Sequence, residues 1–188
     1  MQVLKDEVRK QILEVAEEMF YEKGYQETTT RSIAVKVGIS VSNLYLYYEN
    51  KEALFYAVTD SFYQSFISEF ETFLNHEDNI EDMNQNISQI IKKIIIKDQR
   101  KFILIAEKSK GTKYESFCIR LIEEVKKHII EQLNIQVGDK ELLSFVFAKN
   151  FIEGIIIIAK EYRNVEHLDQ NLKCLTDYHI EGIKQFIK

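Results

Sequence analysis

An all-α fold is predicted by three features of this sequence. The chain has 188 residues, no proline and only six glycines, so little in it breaks a helix. Apolar residues recur with the helical period through most of its length. Four glycines, Gly24, Gly38, Gly111 and Gly138, fall between the periodic segments. Glycine suits a helix end because it takes positive φ freely. Together these features predict about nine helices joined by short connections.

The elements follow in order. Before Gly24, residues Leu4, Val8, Ile12, Val15, Met19 and Phe20 form one stripe. Thr28, Thr29 and Thr30 can cap a second helix that carries Ile33, Ala34 and Val37 inward, and Gly38 ends it. Ser40 can cap a third helix with Leu44 inside. Asn50 can cap a fourth, which starts at Lys51 and carries Phe55, Val58, Phe62, Phe66 and Phe70. Residues 80–96, 99–109 and 113–133 are expected as three further helices. Asp139 can cap a long helix running to Tyr162, and residues 168–187 form the last. The Ile-rich runs 94–96 and 155–158 have strand character, but each is shorter than the helix-period pattern around it.

Composition excludes several classes of function. With 45% hydrophobic and 29% charged residues, the chain can build a packed core and is not disordered. A net charge of -5 gives no general attraction to nucleic acid. Cys118 and Cys174 lack metal spacing and suit a reducing compartment, so a cytoplasmic location is expected. The N-terminus has no apolar signal-peptide core, and no apolar run reaches the ~18 residues of a membrane span. The longest, 145–159, is interrupted by Lys149, Asn150 and Glu153, so no membrane partner is expected. His76, His128, His167 and His179 make no helical-spacing pair with one another or with a cysteine. There is no glycine-rich phosphate loop, no HExxH and no nucleophile elbow. Neither an enzyme nor a metal or cofactor is expected.

Residues 28–48 stand apart. Two short helices separated by Gly38 have the form of a helix-turn-helix, whose second helix can lie in a major groove. That pattern alone is common among helical proteins. Its charge is more specific: the 21 residues carry Arg31 and Lys36 and no acid. At the chain average of 30 acids in 188 residues, about three would be expected. A surface that meets phosphates sheds carboxylates, since each repels the duplex. Lys51 is a second clue, because the first turn of a helix disfavours a cation. A phosphate docked at that helix start would resolve the mismatch. Thr28 and Thr29 can cap their helix or meet a phosphate through hydroxyl and N–H.

Several stretches carry a family resemblance: Thr28-Thr29-Thr30-Arg31-Ser32-Ile33-Ala34, Gly38-Ile39-Ser40, Leu44-Tyr45-Leu46-Tyr47-Tyr48 and Lys51-Glu52-Ala53-Leu54. With Met19-Phe20 and Gly24-Tyr25 before them, they resemble the N-terminal signature of the TetR family of transcriptional regulators. The match spans roughly residues 8–56. The resemblance implies a helix-turn-helix DNA-binding domain over 1–50 and a larger helical ligand-binding and dimerisation domain over 51–188. It implies that Ser40, Val41, Ser42, Asn43 and Tyr45 face DNA, that Tyr47 and Lys51 bond phosphates, and that Thr29 and Arg31 anchor the second helix. Leu44 and Tyr48 would be core. The family often has lysine where Val41 stands. Valine can touch a thymine methyl and Asn43 can pair bidentately with adenine, so an A·T-leaning operator is expected.

The same resemblance implies a homodimer bound to a palindromic double-stranded operator, acting as a repressor released by an apolar or amphipathic effector. Phe62, Phe66, Phe102, Tyr114, Phe117, Phe147, Phe151 and Tyr162 fall on helices expected around the interior and are either plain core or pocket lining. Gly154 and Gly182 lie inside the last two helices, where glycine costs up to about 1 kcal/mol against alanine, and close approach of another helix explains them. In the family those helices pair with their copies. Gly154, Ile158, Leu175, Tyr178 and Gly182 are therefore assigned to a dimer interface. A competing reading is a helical sensor or scaffold that uses its aromatic third helix for a protein partner and binds no DNA. Val41 and the acidic first helix favour it.

Overall fold

The computed structural model describes residues 2–74, 80–132 and 138–184. Among these residues there are eight helices and no strand: α1 (Gln2–Glu27), α2 (Thr30–Val37), α3 (Val41–Tyr45), α4 (Lys51–Leu74), α5 (Ile80–Glu107), α6 (Phe117–Gln132), α7 (Lys140–Lys160) and α8 (Val165–Lys184). The difference from nine lies at Asp98, a non-helical residue inside α5 with φ -163 and ψ 82. It stands between the two segments that the sequence reads as separate helices.

The chain divides into two compact units, Met1–Ser65 with Arg100–Glu115, and Phe66–Gln99 with Ser116–Lys188. In the first, α1 packs on α2 and α2 on α3. Its core holds Ile12, Ala16, Phe20, Ile33, Ala34, Leu44, Leu54 and Phe55, all fully enclosed. The expected α1 stripe thus points inward, apart from Leu4, whose side chain lies outside the described residues. Gly24 has φ 80, which frees Tyr25 from the helix pattern so that its N–H donates to the Lys108 carbonyl at 2.8 Å. In the second unit α7 packs on α6 and on α8. Asp139 caps α7 by accepting from the Leu142 N–H.

Two boundaries differ from expectation. Residues 113–116 form turns rather than the start of α6. The Lys113 N–H donates to the Tyr56 hydroxyl at 3.0 Å and the Tyr114 N–H to Thr112 Oγ1 at 3.1 Å. These side-chain acceptors hold residues 113 and 114 in the turn that precedes α6. Helix α8 starts at Val165, before residue 168, because Asn164 Oδ1 accepts from the His167 N–H at 2.9 Å.

Candidate nucleic-acid interface

Local chemistry builds the reading motif. Thr29 is the N-cap of α2. Its hydroxyl accepts from the Ser32 N–H at 3.1 Å, and its own N–H donates to Ser32 Oγ at 3.2 Å. This is a capping box with serine at its third helical position. Thr29→Ala is expected to cost about 1 kcal/mol in urea unfolding. An unchanged urea midpoint would mean that the box contributes nothing. At the other end of α2, Gly38 has φ 82 and its N–H donates to the Ala34 and Val35 carbonyls. The Ile39 N–H also reaches the Ala34 carbonyl, which closes the helix end. Ser40 Oγ then accepts from the Asn43 N–H at 3.1 Å and starts α3. Asn50 Oδ1 accepts from the Ala53 N–H at 2.7 Å and starts α4.

Leu44 is the buried residue of α3. Tyr48 is buried as well, with the Arg9 guanidinium 5.9 Å from its ring centroid. Burial raises the Tyr48 phenol above its ordinary range, and the Arg9 charge partly offsets that. Tyr45 is 47% exposed, and its hydroxyl lies 3.2 Å from Thr30 Oγ1, which links α3 to α2. Thr29, Arg31, Ser40 and Ser42 are exposed, and Val41, Asn43 and Tyr47 are half-buried. The outward surface therefore offers one guanidinium, hydroxyls, an amide, a valine and two phenols. Those are groups that bond phosphate oxygens, adenine edges and thymine methyls.

Two expected contributors, Thr28 and Lys51, are placed differently, and the cation Lys36 is paired. Thr28 is fully buried, and its hydroxyl donates to the Gly24 carbonyl at 2.8 Å and the Met19 carbonyl at 3.1 Å. It locks α1 to the start of α2 and is removed from the surface. Lys51 does not extend from the α4 start. Its Nζ donates to the carbonyls of Tyr25 at 2.7 Å, Thr28 at 2.9 Å and Gln26 at 3.3 Å, and sits 4.2 Å from the Tyr25 ring centroid. Burial draws its ammonium below the ordinary lysine range, and the Glu27 charge partly offsets that. Lys36 pairs with Glu18 at 2.7 Å, and the hydrogen bond and charge of Lys36 hold the Glu18 carboxyl low. Of the two cations in residues 28–48, one is thus matched by an acid from α1. Two apolar residues escaped the sequence reading: Val35 is 71% exposed and Leu46 83% exposed. Leu46 follows a helix of only five residues, so helical periodicity gave no signal for its direction.

The aromatic candidates are distributed between the two units. Phe62, Phe102 and Tyr114 are buried in the first. There the Tyr114 hydroxyl donates to Asp60 Oδ1 at 2.5 Å, and burial followed by that bond holds the phenol far above its usual range. Phe66 and Phe117 are buried in the second and meet edge to face at 5.1 Å. Phe147, Phe151 and Tyr162 are half-buried there. Gly154 faces Leu175 of the same chain so closely that a Cβ would lie 2.9 Å from Leu175 Cδ1. Ile158 and Leu175 are half-buried, Tyr178 is 76% exposed, and a Cβ on Gly182 would meet nothing within 4 Å.

A capped helix, a left-handed glycine turn and a second capped helix make a helix-turn-helix, a form that can place its second helix in a major groove. Residues 12–58 match the sequence model of the bacterial regulatory proteins of the tetR family. The chain is 29% identical over 142 residues to the biofilm operon icaADBC HTH-type negative transcriptional regulator IcaR of Staphylococcus epidermidis, covering 73% of this chain and 69% of that protein. It is 37% identical over 59 residues to the HTH-type transcriptional regulator TtgR of Pseudomonas putida, a match spanning 31% of this chain and 28% of that protein. The fold is similar to that of the ketosteroid transcriptional regulator KstR2 of Mycobacterium tuberculosis, with TM-score 0.65, 18% identity and 93% of each chain covered. A TetR-like transcriptional regulator from Rhodococcus sp. RHA1 gives TM-score 0.63 at 22% identity, covering 93% of this chain and 96% of that one. Residues 12–58 are thus similar to the tetR family of bacterial regulatory proteins, and the chain is similar over 142 residues to a transcriptional regulator.

Proposed function

We propose that this chain is a repressor that binds a palindromic double-stranded DNA operator as a homodimer and is released by a small apolar or amphipathic molecule. The acid-free, outward face of α2 and α3 carries this reading. On it, Thr29 and Arg31 meet phosphates, with Tyr47. Ser40, Val41, Ser42, Asn43 and Tyr45 face the bases. Residues 1–50 act as the reader and 51–188 as the effector and dimer portion, in a cytoplasmic protein. The dimer is supported by α7. It is apolar enough to pass for a membrane span by length and composition, yet only 33% of that stretch is buried inside the chain. Leu142, Ile157 and Tyr178 stay exposed. A second copy covering α7 and α8 would remove that apolar area from water. Phe66, Phe117, Phe147 and Phe151 of the second unit supply the apolar lining an effector needs. The similar protein IcaR is a negative transcriptional regulator, which favours a repressor here.

The test is fluorescence anisotropy with duplex DNA from upstream of the chain's own gene, against a scrambled duplex. Wild type should prefer the former. Asn43→Ala should cost about 1–3 kcal/mol, roughly 10–100-fold, at one base position only. Absence of any binding at low salt would overturn the reading and leave the protein-partner scaffold in its place.

A further inference from the structure

We propose that Lys51 is a positioning residue of the reading head, a staple across the helix-turn-helix, and not a phosphate ligand. The proposal rests on the DNA-binding reading and concerns how that site is held. Lys51 is the first residue of α4, where the macrodipole works against a cation. Its ammonium instead turns to the Tyr25 and Gln26 carbonyls, just past the break at Gly24 in α1. The third acceptor, the Thr28 carbonyl at 2.9 Å, directly precedes the cap of α2. Three ammonium protons face three carbonyls, and the Tyr25 ring at 4.2 Å covers the charge. A phosphate could be bonded only by abandoning these partners.

The topology gives the contact its meaning. Residues 28 and 51 bracket α2, the turn and α3. One ammonium therefore joins the residue just before the motif to the residue just after it. The whole reading segment becomes a closed loop. Thr28 holds the same corner from the other direction, through its hydroxyl on the Gly24 and Met19 carbonyls. Helix α3 has five residues and cannot hold its own orientation, so its pose depends on these end points. Removing the ammonium frees the C-terminal side of the loop, so the outward side chains are kept but their pose is no longer fixed.

The two roles differ in salt dependence and in specificity. A lost phosphate contact lowers the salt slope by about one and weakens all sequences alike. A lost staple leaves the slope unchanged and degrades base-specific binding. The experiment measures anisotropy on the own-upstream and scrambled duplexes across a salt series, with folding verified by circular dichroism at each temperature used. For Lys51→Met we expect specific binding roughly tenfold weaker or more, scrambled binding within about twofold of wild type, and an unchanged slope. Arg31→Met is the control whose slope should fall by about one. Should Lys51→Met fail to fold, Lys51→Arg keeps the charge but has a planar fork in place of a compact ammonium. It should lose specificity at the wild-type slope. A slope reduced by about one in Lys51→Met, or full specificity in folded Lys51→Met or Lys51→Arg, overturns the proposal. Wild type that fails to distinguish the duplexes overturns the DNA-reading assignment, and the staple with it.

Discussion

Phe55→Ala is expected to lower the unfolding free energy by about 3–5 kcal/mol. Phe55 is fully enclosed and meets Phe20 edge to face at 5.0 Å and Tyr25 at 5.2 Å. Such ring pairs add about 0.5–1.5 kcal/mol each beyond the area they bury. Single domains are typically stable by about 5–15 kcal/mol, so this one change removes a large part of the margin. The cluster also supports Tyr25, whose ring and carbonyl hold the Lys51 ammonium. Urea unfolding followed by circular dichroism would measure the loss. A loss below about 1.5 kcal/mol would show that the site collapses around the smaller side chain, and that these rings are not the keystone of the first unit.

The second large effect is expected for Leu44→Ala, at about 2–5 kcal/mol. Helix α3 is far shorter than the ~12–15 residues that an isolated helix needs, so it exists through its contacts. Leu44 is its buried residue, enclosed completely. Without that anchor the outward set of Ser40, Ser42, Asn43 and Tyr45 has no fixed direction, and operator affinity should fall with stability. Leu46→Ala is the contrast. At 83% exposed it should change stability by no more than about 0.5 kcal/mol. If Leu44→Ala matched Leu46→Ala in both urea midpoint and DNA affinity, α3 would have to be anchored by something other than Leu44.

The caps show why so much of this fold is legible in the chain. Ser40, Asn50 and Asp139 each bond an N–H three residues on. Donor and acceptor are then neighbours in sequence, and the residue type alone states the geometry. Gly24 and Gly38 are legible for the same reason, since positive φ is a property of one residue. Helical period also separated the inward Leu44 from the outward Tyr45. It did not reach Leu46, because the helix had already ended.

Lys51, Thr28 and Lys36 mark where that legibility stops. Each is a surface-type residue beside a helix end or on a helix face, and each could equally meet solvent, phosphate or protein. Lys51 finds acceptors 23 to 26 residues earlier in the chain. Lys36 finds its acid on α1. The turn at residues 113–116 depends on a hydroxyl 57 residues away. Composition, period and caps by themselves determined an all-helical chain with an acid-poor helix-turn-helix near its start. Only the tertiary structure decided which cations face outward, which threonine is buried and how the motif is closed. A helix period encodes which face turns inward, but the partner of a long side chain is set by what the fold brings within 3 Å of it.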